Sequence, residues 1–138
     1  MIDREQQAPQ LPKLPTSAIE TEEGLQANTQ SWFEYPVKAQ PHHTDYAGIV
    51  WHGTYLTWME EARVEYLRSI GIEFADLVAM GCDLPVVELS LRYHLPIHLG
   101  VSAIVKARLV ETKGVRINWD YEIQSYDRQE IFLTGKVL

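Results

Sequence analysis

Between Thr54 and Ile70 the apolar side chains return every three or four positions, whereas elsewhere from Trp32 onward they return every second one. The first period is that of a helix burying one stripe; the second is that of a strand burying one face. A chain with one long helical stripe among strands has few ways to close, because stripe and strand faces must bury each other. The helical run puts Tyr55, Leu56, Met59, Ala62, Tyr66, Leu67 and Ile70 on one side. Thr57, Glu60, Glu61, Glu65 and Arg68 fall on the other, and Gly71 is the expected stop. A second, short helix is expected over 73–80, ended by Gly81.

Ahead of the helix, Phe33, Tyr35, Val37 and Ala39 alternate with Glu34, Pro36, Lys38 and Gln40. Pro36 has no N–H for a ladder, so this strand belongs at a sheet edge or carries a bulge. Four more alternating runs follow the helices: 87–94, 101–109, 115–124, and one that starts at Ile131 and is still running at Leu138. A natural C-terminal extension is therefore expected. Turn signals at 112–114 and 126–129 join the later runs as hairpins. The order implies an α+β fold, a five-stranded antiparallel sheet wrapped around one long helix. A single layer of this kind leaves edges and apolar surface uncovered, which predicts a homodimer or homotetramer.

At 138 residues the chain is one domain. Residues 1–30 differ from the rest: Pro9, Pro12 and Pro15 punctuate a polar, Gln- and Glu-rich stretch that buries too little to offset chain entropy. They are expected to form a flexible tail, or an arm docked through Leu11, Leu14 and Ile19, with the domain spanning 31–138. The net charge of −7 and the lack of any Lys/Arg run argue against nucleic acid as a partner. A phosphorylated ligand needs only a few local cations, and Arg92, Lys106, Arg108, Lys113 and Arg116 are available for one. Cys82, the only cysteine, excludes a disulfide within the chain and reads as a small buried residue of a cytoplasmic protein. No run approaches the ~20 apolar residues of a membrane span, and no signal-peptide hydrophobic region opens the chain.

The stretch with chemical content is His42-His43-Thr44-Asp45-Tyr46-Ala47-Gly48-Ile49-Val50-Trp51-His52-Gly53-Thr54-Tyr55. It sets a carboxylate in a polar turn, then a glycine-hinged apolar bend, then a helix start. The first N–H groups of a helix have no intrahelical partner, and the macrodipole favours negative charge beside them. A carboxylate facing such donors suits acyl transfer.

The loop from Thr44 to His52, with Tyr55 and Glu60-Glu61-Ala62-Arg63 on the helix, resembles the hot-dog-fold acyl-CoA thioesterases, within them the 4-hydroxybenzoyl-CoA thioesterase family. Arg92-Tyr93-His94-Leu95-Pro96-Ile97-His98-Leu99-Gly100 is similar to that family's strand-and-turn signature, and the likeness covers about residues 32–138. The resemblance implies Asp45 as the catalytic carboxylate, and Gly48, Ile49, Val50 and Trp51 as the turn leading to the oxyanion site. It implies that the N–H of His52 polarises the thioester carbonyl, and that Glu60 and Arg63 form the helix's Glu-x-x-Arg pair. Thr57-Trp58 departs from the family pattern, where bulk near an acyl pocket changes which groups fit. A related branch carries its carboxylate on the helix, which keeps Glu60 and Glu61 in view.

Each residue also has a plainer reading. Asp45 is a common turn former and helix cap. The His52 side chain could pack or cap the helix start. Glu60 and Arg63, three apart, suit a surface ion pair. Tyr55, Trp58 and Met59 suit a core as well as an acyl pocket, and Tyr66 and Trp119 a core. His42 and His43 lack further ligands for a metal and read as loop residues, His43 near the site, so neither metal nor cofactor is expected. No Gly-x-Ser-x-Gly elbow supports a serine hydrolase. The expected function is hydrolysis of an acyl-CoA thioester. The alternatives are a thioesterase acting on acyl carrier protein, a hot-dog hydratase (whose Pro-rich motif is missing), and a non-catalytic acyl-thioester-binding protein.

Overall fold

The computed structural model describes residues 31–81, 85–113 and 116–138. Strand β1 (Phe33–Lys38) leads through a 3-10 turn (Pro41–His43) to helix α1 (Thr54–Ser69) and the short α2 (Phe74–Ala79). Strands β2 (Leu89–Tyr93), β3 (Ser102–Lys113), β4 (Arg116–Ser125) and β5 (Ile131–Val137) complete the order. They form one sheet ordered β1-β3-β4-β5-β2, every neighbour antiparallel. This is the expected α+β arrangement, and Pro36 sits on an edge strand, where its missing donor costs nothing.

Register puts Phe33, Tyr35 and Val37 beside Ala107, Val105 and Ala103, and Ala107 and Val105 in turn beside Tyr121 and Ile123. Leu133 continues this face next to Ile123. Helix α1 packs on β1 and β3 from that side. Its Trp58, together with Val105, Ile123 and Leu133, is among the most deeply buried side chains.

The stripe of α1 differs from expectation at two positions. Leu56 is 38% exposed, whereas Trp58 is 1% exposed. At 100° per residue, 55, 58, 59, 62 and 66 share one face, and Leu56 is turned a quarter of the way round from it. Arg63 is also buried; it pairs with Glu60 and lies 5.6 Å above the Phe74 ring of α2. Its Nε has no partner among the described residues. The expected stop holds: Gly71 takes φ +86°, with the N–H of Ile72 bonded to the Leu67 carbonyl at 2.8 Å.

The β2 run starts at Leu89, two residues later than its alternation suggested, and its apolar members Leu89 and Tyr93 are exposed in the single chain. After β2 the segment 94–101 crosses to β3 past the end of the sheet. His94 and Leu95 donate to the Phe132 carbonyl, and Gly100 donates to Ala39. On the outer face, Arg128 of the β4–β5 turn grips Glu34 of β1 in a bidentate pair at 2.6 and 2.8 Å. The expectations for residues 1–30, Cys82 and Gly114 lie outside the described residues. No described helix is long and apolar enough to cross a membrane.

Candidate active site

Asp45 opens a tight hairpin closed by the Thr44–Val50 bridge. Its N–H donates to Ile49 O at 2.8 Å, and Gly48 N–H returns to Asp45 O at 3.1 Å. Gly48 takes φ +75°, a left-handed step that L side chains avoid, which is why the turn needs glycine there. The Asp45 carboxylate folds back onto its own turn: Oδ1 accepts the N–H groups of Ala47 (2.9 Å) and Ile49 (3.2 Å). Oδ2 has no partner among the described residues, and the side chain is exposed. The turn-forming role and an available carboxylate oxygen thus coexist in one residue.

The hairpin is fastened from outside. Val50 N–H donates to Ile97 O and Leu99 N–H to Gly48 O, both at 2.8 Å, so segment 94–101 holds the hairpin against the sheet end. The other strand of the hairpin runs directly into α1. There Trp51 N–H donates to His43 O, and Thr54 N–H to Trp51 O. Gly53 takes the N-cap position and supplies no side-chain cap. The backbone N–H groups of His52, Gly53 and Tyr55 find no acceptor among the described residues. Unaccepted donors at the positive end of a sixteen-residue helix favour negative charge beside them.

Other groups hold this helix start in place. The hydroxyl of the buried Thr54 donates to His43 O at 2.9 Å. The Tyr93 hydroxyl of β2 donates to His52 O at 3.0 Å, and its ring meets Tyr55 edge-on at 5.4 Å. The indole of Trp51, half exposed, is tilted against the His52 ring at 4.7 Å and rests directly on Gly53. A Cβ at position 53 would fall 2.0 Å from that ring. Thr54, Gly53 and Tyr93 were not singled out as site residues from sequence. A helix start lacking Ser, Asp or Asn at its cap was the available signal for Gly53.

Tyr55, Trp58 and Met59 are buried in the core of the single chain. Glu60 pairs with Arg63, and Glu61 accepts the Tyr35 hydroxyl at 2.9 Å. Burial, and then that carboxylate, push the Tyr35 hydroxyl up to about 12. Both glutamates line a shallow cavity on the solvent side of α1, with Glu65, Leu56 and Thr57. That places them away from the α1 start, on the second turn and beyond. Of the proposed phosphate-binding cations, Lys106 and Arg108 lie against the Trp32 ring, and Arg108 also pairs with Asp120. Arg92 lines an outer-face cavity of about 760 Å³ with Lys136 and His94. Among the described residues, no three His, Cys, Asp or Glu side chains come together as a metal site.

The antiparallel sheet with one long helix packed against it is a hot-dog layer, and comparison with known proteins agrees. Residues 47–132 match the family model described as the thioesterase superfamily, a span that opens two residues after Asp45. A Synechocystis protein named as an esterase is 53% identical over 131 residues, covering 94% of this chain and 79% of its own. A chloroplastic acyl-acyl carrier protein thioesterase of Arabidopsis thaliana is 31% identical over 103 residues, covering 75% of this chain and 54% of its own. The crystal structure of a 1,4-dihydroxy-2-naphthoyl-CoA thioesterase from Synechocystis superposes with a TM-score of 0.72 at 25% identity, covering 78% and 79% of the two chains. The chain belongs to the thioesterase superfamily and is a thioester hydrolase.

The contact between Trp51 and Gly53 gives a direct test of the helix start. The αR backbone at 53 accepts alanine, so Gly53→Ala is expected to change stability by less than about 1 kcal/mol. The added methyl drives the indole off the helix start, and thioester hydrolysis is expected to fall about tenfold from misplacement alone. Thermal denaturation with steady-state kinetics checks both halves; a wild-type rate would remove the indole's placement from the site.

Proposed function

We propose that this chain hydrolyses acyl-CoA thioesters, with Asp45 as nucleophile or general base and the start of α1 as the oxyanion site. The reading rests on one observation: the unaccepted N–H groups of His52, Gly53 and Tyr55 lie at the foot of a hairpin that leaves Asp45 Oδ2 uncommitted. The thioester carbonyl oxygen would accept from that helix start, where developing negative charge meets donors already fixed in place. Either Oδ2 attacks the carbonyl carbon, expels the CoA thiolate and leaves an anhydride for water to open, or it takes a proton from the attacking water. Both routes consume one water and release the free acid and the thiol. Gly48, Ile49, Val50 and Trp51 shape the approach; Tyr55, Trp58 and Met59 stand behind it on α1.

The bulk of Trp58 and the aromatic surroundings favour a flat or limited acyl group. Hydrolysis is expected with aromatic or medium-chain acyl-CoA and to be low with chains of about C18 or longer. Thiol release measured across an acyl-CoA panel tests this, and a preference for the longest chains would overturn it. The Arabidopsis relative's name supports a second reading, in which the acyl group arrives on a carrier protein. Activity confined to carrier-protein thioesters in the same panel would select it.

A further inference from the structure

His43 carries a feature that the proposed chemistry does not use. Its ring stands at the third position of the 3-10 turn and reaches back to that turn's first N–H: Gln40 N donates to Nδ1 at 2.9 Å. This is the geometry of a capping box with imidazole in place of the usual Glu or Gln. The bond assigns the neutral ring with its proton on Nε2, because Nδ1 must offer a lone pair. The ring also meets Trp58 of α1 edge-on at 5.2 Å and lies 3.9 Å from the His42 ring. The carbonyl of the same residue accepts twice, from Trp51 N–H at 3.0 Å and from the Thr54 hydroxyl at 2.9 Å. One residue thus ties the end of β1, the hairpin and the first turn of α1 together.

We infer that His43 is a positioning residue, whose neutral, Nε2-protonated ring holds the start of α1 in register with the Asp45 hairpin, and whose protonation releases that register. The inference rests on the thioesterase reading for its kinetic test. A proton on Nδ1 turns the acceptor into a donor facing the Gln40 donor, so the cap is lost and the carbonyl at 43 is free to shift. The charged groups facing the ring oppose one another. His42 on the same turn disfavours the charge, while Glu61 of α1 and the Lys38 carbonyl of β1 favour it. Asp45, two residues on, spends Oδ1 on its own turn. Burial is the largest influence and, with His42, holds His43 below the usual imidazole value of 6.5. A group so depressed binds its proton more readily in the unfolded chain. Its contribution is therefore complete above pH 6.5 and is lost as pH falls through the lower folded value.

The test is the pH profile of kcat for the full chain, His43→Asn and His42→Gln, each normalised to its own plateau. The Asn Oδ1 sits on Cγ as Nδ1 does and accepts without titrating. Wild type is expected to lose activity in acid with a midpoint below 6.5, His43→Asn to lack that limb, and His42→Gln to move it upward. His43→Ala, with no acceptor, is expected to lower kcat about tenfold with KM changed less than about threefold, as fits a group acting on the helix start. Ring and amide NMR titration gives an arm independent of activity: Nδ1 should be the unprotonated nitrogen, and the Trp51 and Thr54 amides should titrate with the His43 midpoint. An unchanged acid limb in His43→Asn, or amides that ignore His43, overturns the inference. Absence of hydrolysis at every pH fails the thioesterase reading instead, and the amide titration then decides alone.

Discussion

Replacing Asp45 with asparagine is expected to lower thioester hydrolysis by at least about a hundredfold while the fold stays intact. The substitution is clean because of how the carboxylate is used. Oδ1 accepts from Ala47 and Ile49, and the asparagine Oδ1 accepts the same two N–H groups, so the hairpin keeps its shape. What disappears is the negative charge and the second carboxylate oxygen, the one that no described residue engages. Circular dichroism and thermal denaturation should match wild type, with kcat carrying the loss. Near-normal kcat in a folded Asp45→Asn protein would move the chemistry to α1, where Glu61, braced by the Tyr35 hydroxyl, is the first candidate.

The second large effect concerns mass. Light scattering at micromolar concentration is expected to give at least twice the 15.9 kDa of one chain. Edge strand β2 presents Leu89 and Tyr93, and nearby loops present Leu95 and Leu99, all more than two-fifths exposed. Tyr46, at the tip of the Asp45 hairpin, has its entire ring in solvent, and Trp51 is half exposed. A lone chain that keeps this much aromatic and aliphatic surface wet, next to an unpaired edge, is a poor monomer. If the tip of the hairpin meets a second copy, specific activity should also fall on dilution. A mass near 15.9 kDa would end this expectation.

Most of the architecture was readable because period alone separates a helix from strands. Alternation placed every strand to within a few residues, and Pro36 marked an edge by chemistry. The stripe of α1 was misread at Leu56 because hydrophobicity was counted before angle: a leucine was taken for the core, although the helix turns it to solvent. Arg63 was assigned to a surface pair and is buried, since its long stem packs beside α2 while Glu60 stays in water. At the site, the run from Asp45 to His52 announced itself through Gly48 and the helix start. Thr54 and Tyr93 did not, because each acts through a backbone carbonyl. Such bonds depend on where the chain returns, and β2 meets the motif loop only after 41 residues of separation.

The fastening of the hairpin has a consequence for how the molecule breathes. Its supports converge on the junction where Ala39 leaves β1, through reciprocal bonds with Gly100 and Val101. β1 is a six-residue edge strand bonded to β3 alone, the part of a sheet that opens first. Local opening at that margin would slacken the hairpin and the first turn of α1 together, while β3, β4 and β5 stayed closed. Arg128, reaching from the opposite turn to Glu34, clamps this margin from the far side. The hairpin's rigidity is thus borrowed from a border of the sheet rather than from its centre, and a long-range clamp on that border is part of what keeps the hairpin and the start of α1 in step.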